Sequence, residues 1–248
     1  MKAPRIAATL ATGLLAALAG VAQAVPIAYD GIQYLPGPLA PNGPAFGLSA
    51  PWAADAGVDV VAAGLFSPLA LPSTGGSVVG CCNLQDPLLN TIAPSPGREF
   101  WASFLLFHSG PNDECYMGLS PAGAPFGNPP SVGYGVRLGQ YGIFVGAAFT
   151  PSAKPFTPNG STDLLVMHFT AGGAAWNVEL YVNPPFVLGP PDLVMSVAPV
   201  TYGTMVNMNQ SQFGSDEFRL GDKVEDVKAA GVTPTARTTW GRMKNLYR

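Results

Sequence analysis

At 248 residues, with 48% hydrophobic and only 11% charged positions, the chain is too apolar for a disordered protein and long enough for one large β-domain. Its 30 glycines and 26 prolines fall between β-branched and aromatic runs, which argues against a helical bundle. The formal charge of −3 hides an asymmetry: Val25 to Val227 holds five basic against fifteen acidic residues, which weighs against a nucleic-acid partner.

The first 24 residues read as a secretory signal peptide. Lys2 and Arg5 precede the uncharged run Ile6–Ala19, and Ala22-Gln23-Ala24 matches a small-x-small cleavage site. The apolar run falls short of the ~20 residues of a membrane span. No cysteine directly follows it, so the expected product is secreted, extracellular or periplasmic, with no membrane span and no lipid anchor.

The remaining chain divides into short extended runs. Val58–Leu65 is predicted as a strand, and Leu71–Gly80 as a turn entering another. Cys81–Pro96 shows no sustained period and is expected to be irregular. Arg98–Phe107 (REFWASFLLF) is apolar on both faces, which predicts a central, covered strand with Trp101 in the core. Cys115–Leu119 is expected to pair with it. Val132–Leu138 and Tyr141–Phe149 form a hairpin about Gly139-Gln140.

Asp163–Thr170 and Ala175–Val182 flank Ala171-Gly172-Gly173. Within the second, Trp176, Val178, Leu180 and Val182 alternate with Asn177, Glu179 and Tyr181, the pattern of a half-buried strand. Weaker strands near Val194–Ala198 and Thr204–Met208 follow. Phe213–Val227 then supplies a closing strand with Phe218 and Leu220 on one face and Glu217 and Arg219 on the other, ending in a charged turn. About ten strands without intervening helices predict an all-β, two-sheet antiparallel β-sandwich from residue 25 to 228. Residues 229–248 are basic, with no acidic residue, and are expected to form a solvated, disordered tail.

Several stretches together carry a family resemblance. They are Ile27–Leu39 (IAYDGIQYLPGPL), Val60–Val78 (VVAAGLFSPLALPSTGGSV), REFWASFLLF, the LLVMHFT and WNVELYVNP pair, and SDEFRLGDKVEDV. Over Ile27–Lys228 the chain resembles bacterial exported proteins of the concanavalin A-like (laminin G-like) jelly-roll class. The resemblance implies a jelly-roll fold in which the last stretch is the final core strand. That fold hosts lectins, glycosidases, adhesion modules and inert spacers, so it does not name a function. Two family features are absent: an apolar anchoring segment in the tail, and the Glu-x-Asp-x-x-Glu strand of the glucanase branch.

The chemistry-bearing residues are few. Neighbouring carboxylates Asp113-Glu114 and Asp216-Glu217 are expected to diverge, because adjacent strand residues face opposite sides. His108 ends a strand, and His168 is read as a hydrogen-bonded sheet residue. No G-x-S-x-G, H-E-x-x-H, P-loop or G-x-G-x-x-G occurs, so no enzyme is expected. Calcium could draw oxygens from Asn112, Asp113 and Asp216, against the ordinary reading of turn capping; no other cofactor is indicated.

Trp52, Tyr116, Tyr134 and Tyr141 lie near loops and are the candidate rings for stacking on sugars, against the ordinary reading of core packing. In an oxidising compartment Cys115 is expected to bridge to Cys81 or Cys82. The expected function is a non-catalytic, secreted sandwich that binds a polysaccharide or a cell-surface component. The alternatives are a purely structural or adhesive module and a diverged glycan-processing enzyme.

Overall fold

The computed structural model describes residues 26–66, 75–80, 82–108, 110, 114–157, 160–185, 187–210 and 214–228. The expected leader, the basic tail, Cys81, Asn112 and Asp113 lie outside the described residues.

Among the described residues, sixteen strands and one short helix make up the fold. They are β1 (Ala28–Asp30), β2 (Gly37–Pro38), β3 (Ala53–Ala54), β4 (Asp59–Val61), β5 (Ser77–Val79), β6 (Cys82–Ile92), β7 (Glu99–Phe107) and β8 (Glu114–Ser120). There follow β9 (Val132–Arg137), β10 (Gln140–Val145), β11 (Ala148–Pro151), β12 (Thr162–Ala171), β13 (Trp176–Val182), β14 (Leu193–Val197), β15 (Tyr202–Gln210), β16 (Gly214–Gly221) and α1 (Val224–Lys228).

All strand pairs are antiparallel, and they form two sheets. The larger has nine strands, ordered β14-β13-β12-β7-β16-β5-β4-β2, with β1 beside β5 on the free half of β16. The smaller has seven, ordered β11-β10-β9-β8-β15-β6-β3. The two-sheet antiparallel sandwich expected from the alternation is the observed architecture.

Alternation decides which face meets the core. Leu165, Met167, Phe169 and Ala171 of β12 and Trp176, Val178, Leu180 and Val182 of β13 all point between the sheets. Phe100 stacks on Phe169 at 4.1 Å, and Trp176 meets its edge at 5.3 Å. Phe104 spans the gap, edge-on to Tyr134 of the smaller sheet at 5.3 Å. Burial of such rings is the main driving force of the fold.

Several expectations need correction. Cys82–Ile92 is an eleven-residue strand rather than irregular chain. Its polar outward positions and Pro87 mask the period, and β15 and β3 hold it from either side. β8 does not pair with β7; it crosses to the other sheet and pairs with β9 and β15. The hairpin turn is Leu138-Gly139, one residue earlier than read, with φ of 49° and 69° as a type I′ turn demands.

β16 is no edge strand. It lies between β7 and both β5 and β1. Asp216 faces Leu105 and Arg219 faces Ser103, so one extra residue is inserted there, and Glu217 takes φ 54°. This bulge overrides simple alternation. Asp216 turns to the outer face, and Phe218 and Leu220 keep to the core.

The charged turn after β16 coils into α1, and Val224 and Val227 pack on the outer face of the larger sheet against Trp101, Leu105, Leu164, Val166 and Tyr181. Trp101 is therefore buried in this outer cluster rather than in the core between the sheets. No helix among the described residues is long and apolar enough to cross a membrane.

Candidate functional site

Those of the expected site residues that lie among the described residues do not assemble into one site. Trp52 is buried and donates from Nε1 to Asp30 Oδ2 at 2.7 Å. Tyr116 lies beneath Phe144, 4.1 Å between ring centres, and its hydroxyl donates to Met208 Sδ at 2.6 Å. Tyr134 is fully buried against Phe104. Tyr141 is fully buried, its hydroxyl 2.7 Å from Asp163 Oδ2. Trp52, Tyr134 and Tyr141 are core residues, whereas Tyr116 lies on the outer face of the smaller sheet beneath Phe144; each points into a packed face that sequence proximity to a loop does not reveal. No sugar can stack on Trp52, Tyr134 or Tyr141 while the sandwich is closed, and Phe144 covers Tyr116.

Asp216 is also buried. Its Oδ2 accepts from the Leu65 amide at 2.9 Å and its Oδ1 from the Glu217 amide at 2.7 Å. No group of three metal-ligating side chains is found among the described residues. For the cysteines, register is informative. Cys82 and Cys115 both lie opposite Asn209, on the two strands flanking β15. Two strand spacings put their Cα atoms roughly 9–10 Å apart, beyond the reach of a disulfide. The expected Cys82–Cys115 bridge is thereby excluded, and the Cys81–Cys115 alternative falls outside the described residues.

What the fold does bring together is a row across the outer face of the larger sheet. Pairing aligns Trp101 of β7 with His168 of β12 and His168 with Glu179 of β13; one step along, Glu99, Thr170 and Asn177 align. The indole of Trp101 lies flat beneath the imidazole, 3.8 Å between centres and 8° from parallel.

On either side of that ring stands a carboxylate. His168 Nδ1 is 3.1 Å from Glu179 Oε2, and Nε2 is 3.2 Å from Glu99 Oε2. Tyr181 donates to Glu179 Oε2 at 2.8 Å, and Asn177 Nδ2 reaches Oε1 at 3.5 Å. Burial, then the neighbouring Glu179, push the Tyr181 phenol well above its ordinary value, so it stays a donor.

The row is graded in exposure. The His168 side chain is 14% exposed, Glu179 25% and Glu99 55%. A stacked floor thus fixes an imidazole, which with a tyrosine fixes one carboxylate, and the outer carboxylate reaches solvent. Hydrogen-bonding groups in such an arrangement meet a ligand with little left to order.

The alternation of Asn177, Glu179 and Tyr181 in β13 was legible, and so was the hydrogen-bonded setting of His168. The missing signal was register. Glu99, His168 and Glu179 are far apart in sequence, and only the pairing of three strands makes them neighbours.

No family model matches the chain, and no curated protein matches it. Among solved structures, it is similar to the carbohydrate recognition domain of Emp46p, with 12% identity over 62% of this chain and 85% of that one, TM-score 0.40. It is similar to lectin II from Ulex europaeus, with 12% identity over 78% of this chain and 96% of that one, TM-score 0.43. A Trypanosoma rangeli sialidase mutant displaying trans-sialidase activity matches with 12% identity over 67% of this chain and 27% of that one, TM-score 0.38.

Proposed function

We propose that the chain is an exported glycan-binding sandwich that performs no chemistry on its ligand, and that the sugar lies over Glu99, His168, Asn177 and Glu179. The observation that supports this reading is the fixed polar row. Its acceptors and donors are held by Trp101 and Tyr181 before any ligand arrives, and its outer members face solvent. A pyranose presents hydroxyls that both donate and accept, and a carboxylate beside a carboxamide satisfies two adjacent ones.

A hydrolytic reading meets an obstacle in the same geometry. The carboxylate oxygens that flank His168 lie no more than about 8–9 Å apart, within the separation used by inverting glycosidases. The imidazole, however, fills the space in which the attacking water would sit.

The test is titration of the processed protein against neutral and acidic polysaccharides by calorimetry, with Glu179→Gln alongside. Loss of a charge-assisted hydrogen bond of about 1.5–3 kcal/mol weakens binding roughly ten- to hundredfold. The melting temperature of this surface variant is expected to stay within a few degrees of wild type. Reducing-end release during the titration would overturn the non-catalytic reading. Silence of the wild type on every polysaccharide would favour the structural or adhesive alternative.

A further inference from the structure

One corner of the sandwich is closed by a segment that belongs to neither sheet alone. Phe46 accepts from the Tyr29 amide of β1 at 2.9 Å, which ties the segment to the larger sheet. Gly47 accepts from Leu89 at 2.8 Å, Ser49 donates to Pro87 at 2.9 Å, and Ala53 and Ala54 pair with Gln85 and Leu84, which tie it to β6 of the smaller sheet. Phe46–Ala54 is a clasp across the open edge of the sandwich.

Beneath the clasp lie two buried carboxyl groups. Asp30 is well supplied: Ile32, Tyr34 and Trp52 each donate to it at 2.7 Å. Asp86, on β6, is not. It is fully buried, and neither of its oxygens has a hydrogen-bond partner. The Ala50 amide of the clasp favours the charged form without closing a hydrogen bond, and no basic side chain among the described residues acts on Asp86.

The groups facing Asp86 from the packed elements are Asp30 of β1, Tyr34 beyond it, and the uncharged Met205 and Asn207 of β15; Glu217 of β16 acts on Asp30. A buried carboxylate with an acidic neighbour and no cation is costly to ionise.

We propose that this corner is a proton-locked clasp: protonated Asp86 lets Phe46–Ala54 hold the two sheets together, and loss of that proton loosens the segment. The clasp also walls a cleft of about 350 Å³, lined by Ile27, Phe46, Gly47, Leu89, Ile92 and Arg98 among others. Loosening the clasp therefore widens access between the sheet edges, and pH controls it.

The sign follows from linkage. Burial first and Asp30 second push the Asp86 carboxyl from 3.8 up to about 7. In the loosened state it titrates near 3.8. The closed clasp is fully favoured below that value, loses its advantage progressively between about pH 4 and 7, and gains no further penalty above.

The test is amide hydrogen exchange on the intact protein at pH 5 and pH 8, corrected for the intrinsic chemical rates. The amides of Ser49, Trp52 and Leu89 report the clasp, and those of β12 serve as reference. Protection at the clasp is expected to fall roughly ten- to hundredfold from pH 5 to pH 8, with β12 unchanged. In Asp86→Asn most of that pH-dependent loss at the clasp should disappear, leaving only what the raised carboxyl of Asp30 contributes. Asp86→Leu provides the same comparison if the asparagine variant does not fold. Clasp protection independent of pH in the wild type, or the same pH-dependent loss in a folded Asp86 variant, would overturn the proposal.

Discussion

Replacing Asp163 with alanine should destabilise the protein by about 3–5 kcal/mol, the range for removing one partner from a buried charged network. Asp163 is buried at the start of β12, and its two oxygens accept four side-chain hydrogen bonds. His108 Nε2, Tyr141 Oη and Thr157 Oγ1 reach Oδ2 at 3.0, 2.7 and 2.8 Å, and Asn183 Nδ2 reaches Oδ1 at 2.7 Å. These donors come from the end of β7, from β10, from the loop before β12 and from the end of β13. Since β10 belongs to the smaller sheet, the carboxylate bolts the sheets together. Deleting it leaves buried polar groups from both.

Asparagine is not expected to rescue the site. Its amide would turn an N–H₂ toward one set of donors whichever way it pointed. Burial alone would raise the Asp163 pKa. The hydrogen bonds from His108, Tyr141, Asn183 and Thr157 outweigh burial and hold it below the usual 3.8. The stability it contributes is therefore present above that value and is lost as pH falls through the folded value. Urea denaturation of Asp163→Ala and Asp163→Asn at neutral pH checks the prediction. A loss under about 1 kcal/mol in either would mean that the network is incidental to stability.

Asp163 and Asp86 thus pull stability in opposite directions with pH, although both are buried aspartates. The difference is supply of donors: four at Asp163, none closed at Asp86. Composition counts the two alike, which is one reason the polar interior was not legible in the sequence.

What was legible is what alternation encodes. The inward sets of β12 and β13, the doubly covered β7 and the β9–β10 hairpin all follow from hydrophobic period and turn chemistry within one segment. What was not legible depends on two or more segments. β6 reads as irregular because its stabilising neighbours, β15 and β3, are remote in sequence. Tyr116 and Tyr141 read as loop-adjacent rings, but their orientation is set by strand register. Trp101 reads as core, and becomes the floor of a surface row because α1 and His168 cover it. The Glu99–His168–Glu179 row is entirely a product of pairing.

The bulge in β16 is likewise a product of pairing, and it is testable. Arg219 is 2% exposed, and its guanidinium is 2.7 Å from Glu217 Oε2 and 5.1 Å from the centre of the Tyr29 ring. Removing the carboxylate strands a buried cation, so Glu217→Ala should cost about 3–5 kcal/mol.

Glu217 also holds φ 54°, a region that L-residues other than glycine occupy at a cost of order 1 kcal/mol. Glu217→Gly should therefore be less damaging than Glu217→Ala by about 1 kcal/mol, the reverse of the usual order within a strand. Adding Arg219→Met to Glu217→Gly removes the stranded cation and should recover most of the loss, since an apolar replacement for a buried ion pair is often neutral. Equilibrium denaturation of Glu217→Ala, Glu217→Gly, Arg219→Met and the double variant measures these terms. If the double variant is as unstable as the sum of its parts, the ion pair is not what Arg219 contributes. If alanine outperforms glycine at 217, the backbone there is unstrained, and the bulge owes its shape to β5 and β1 alone.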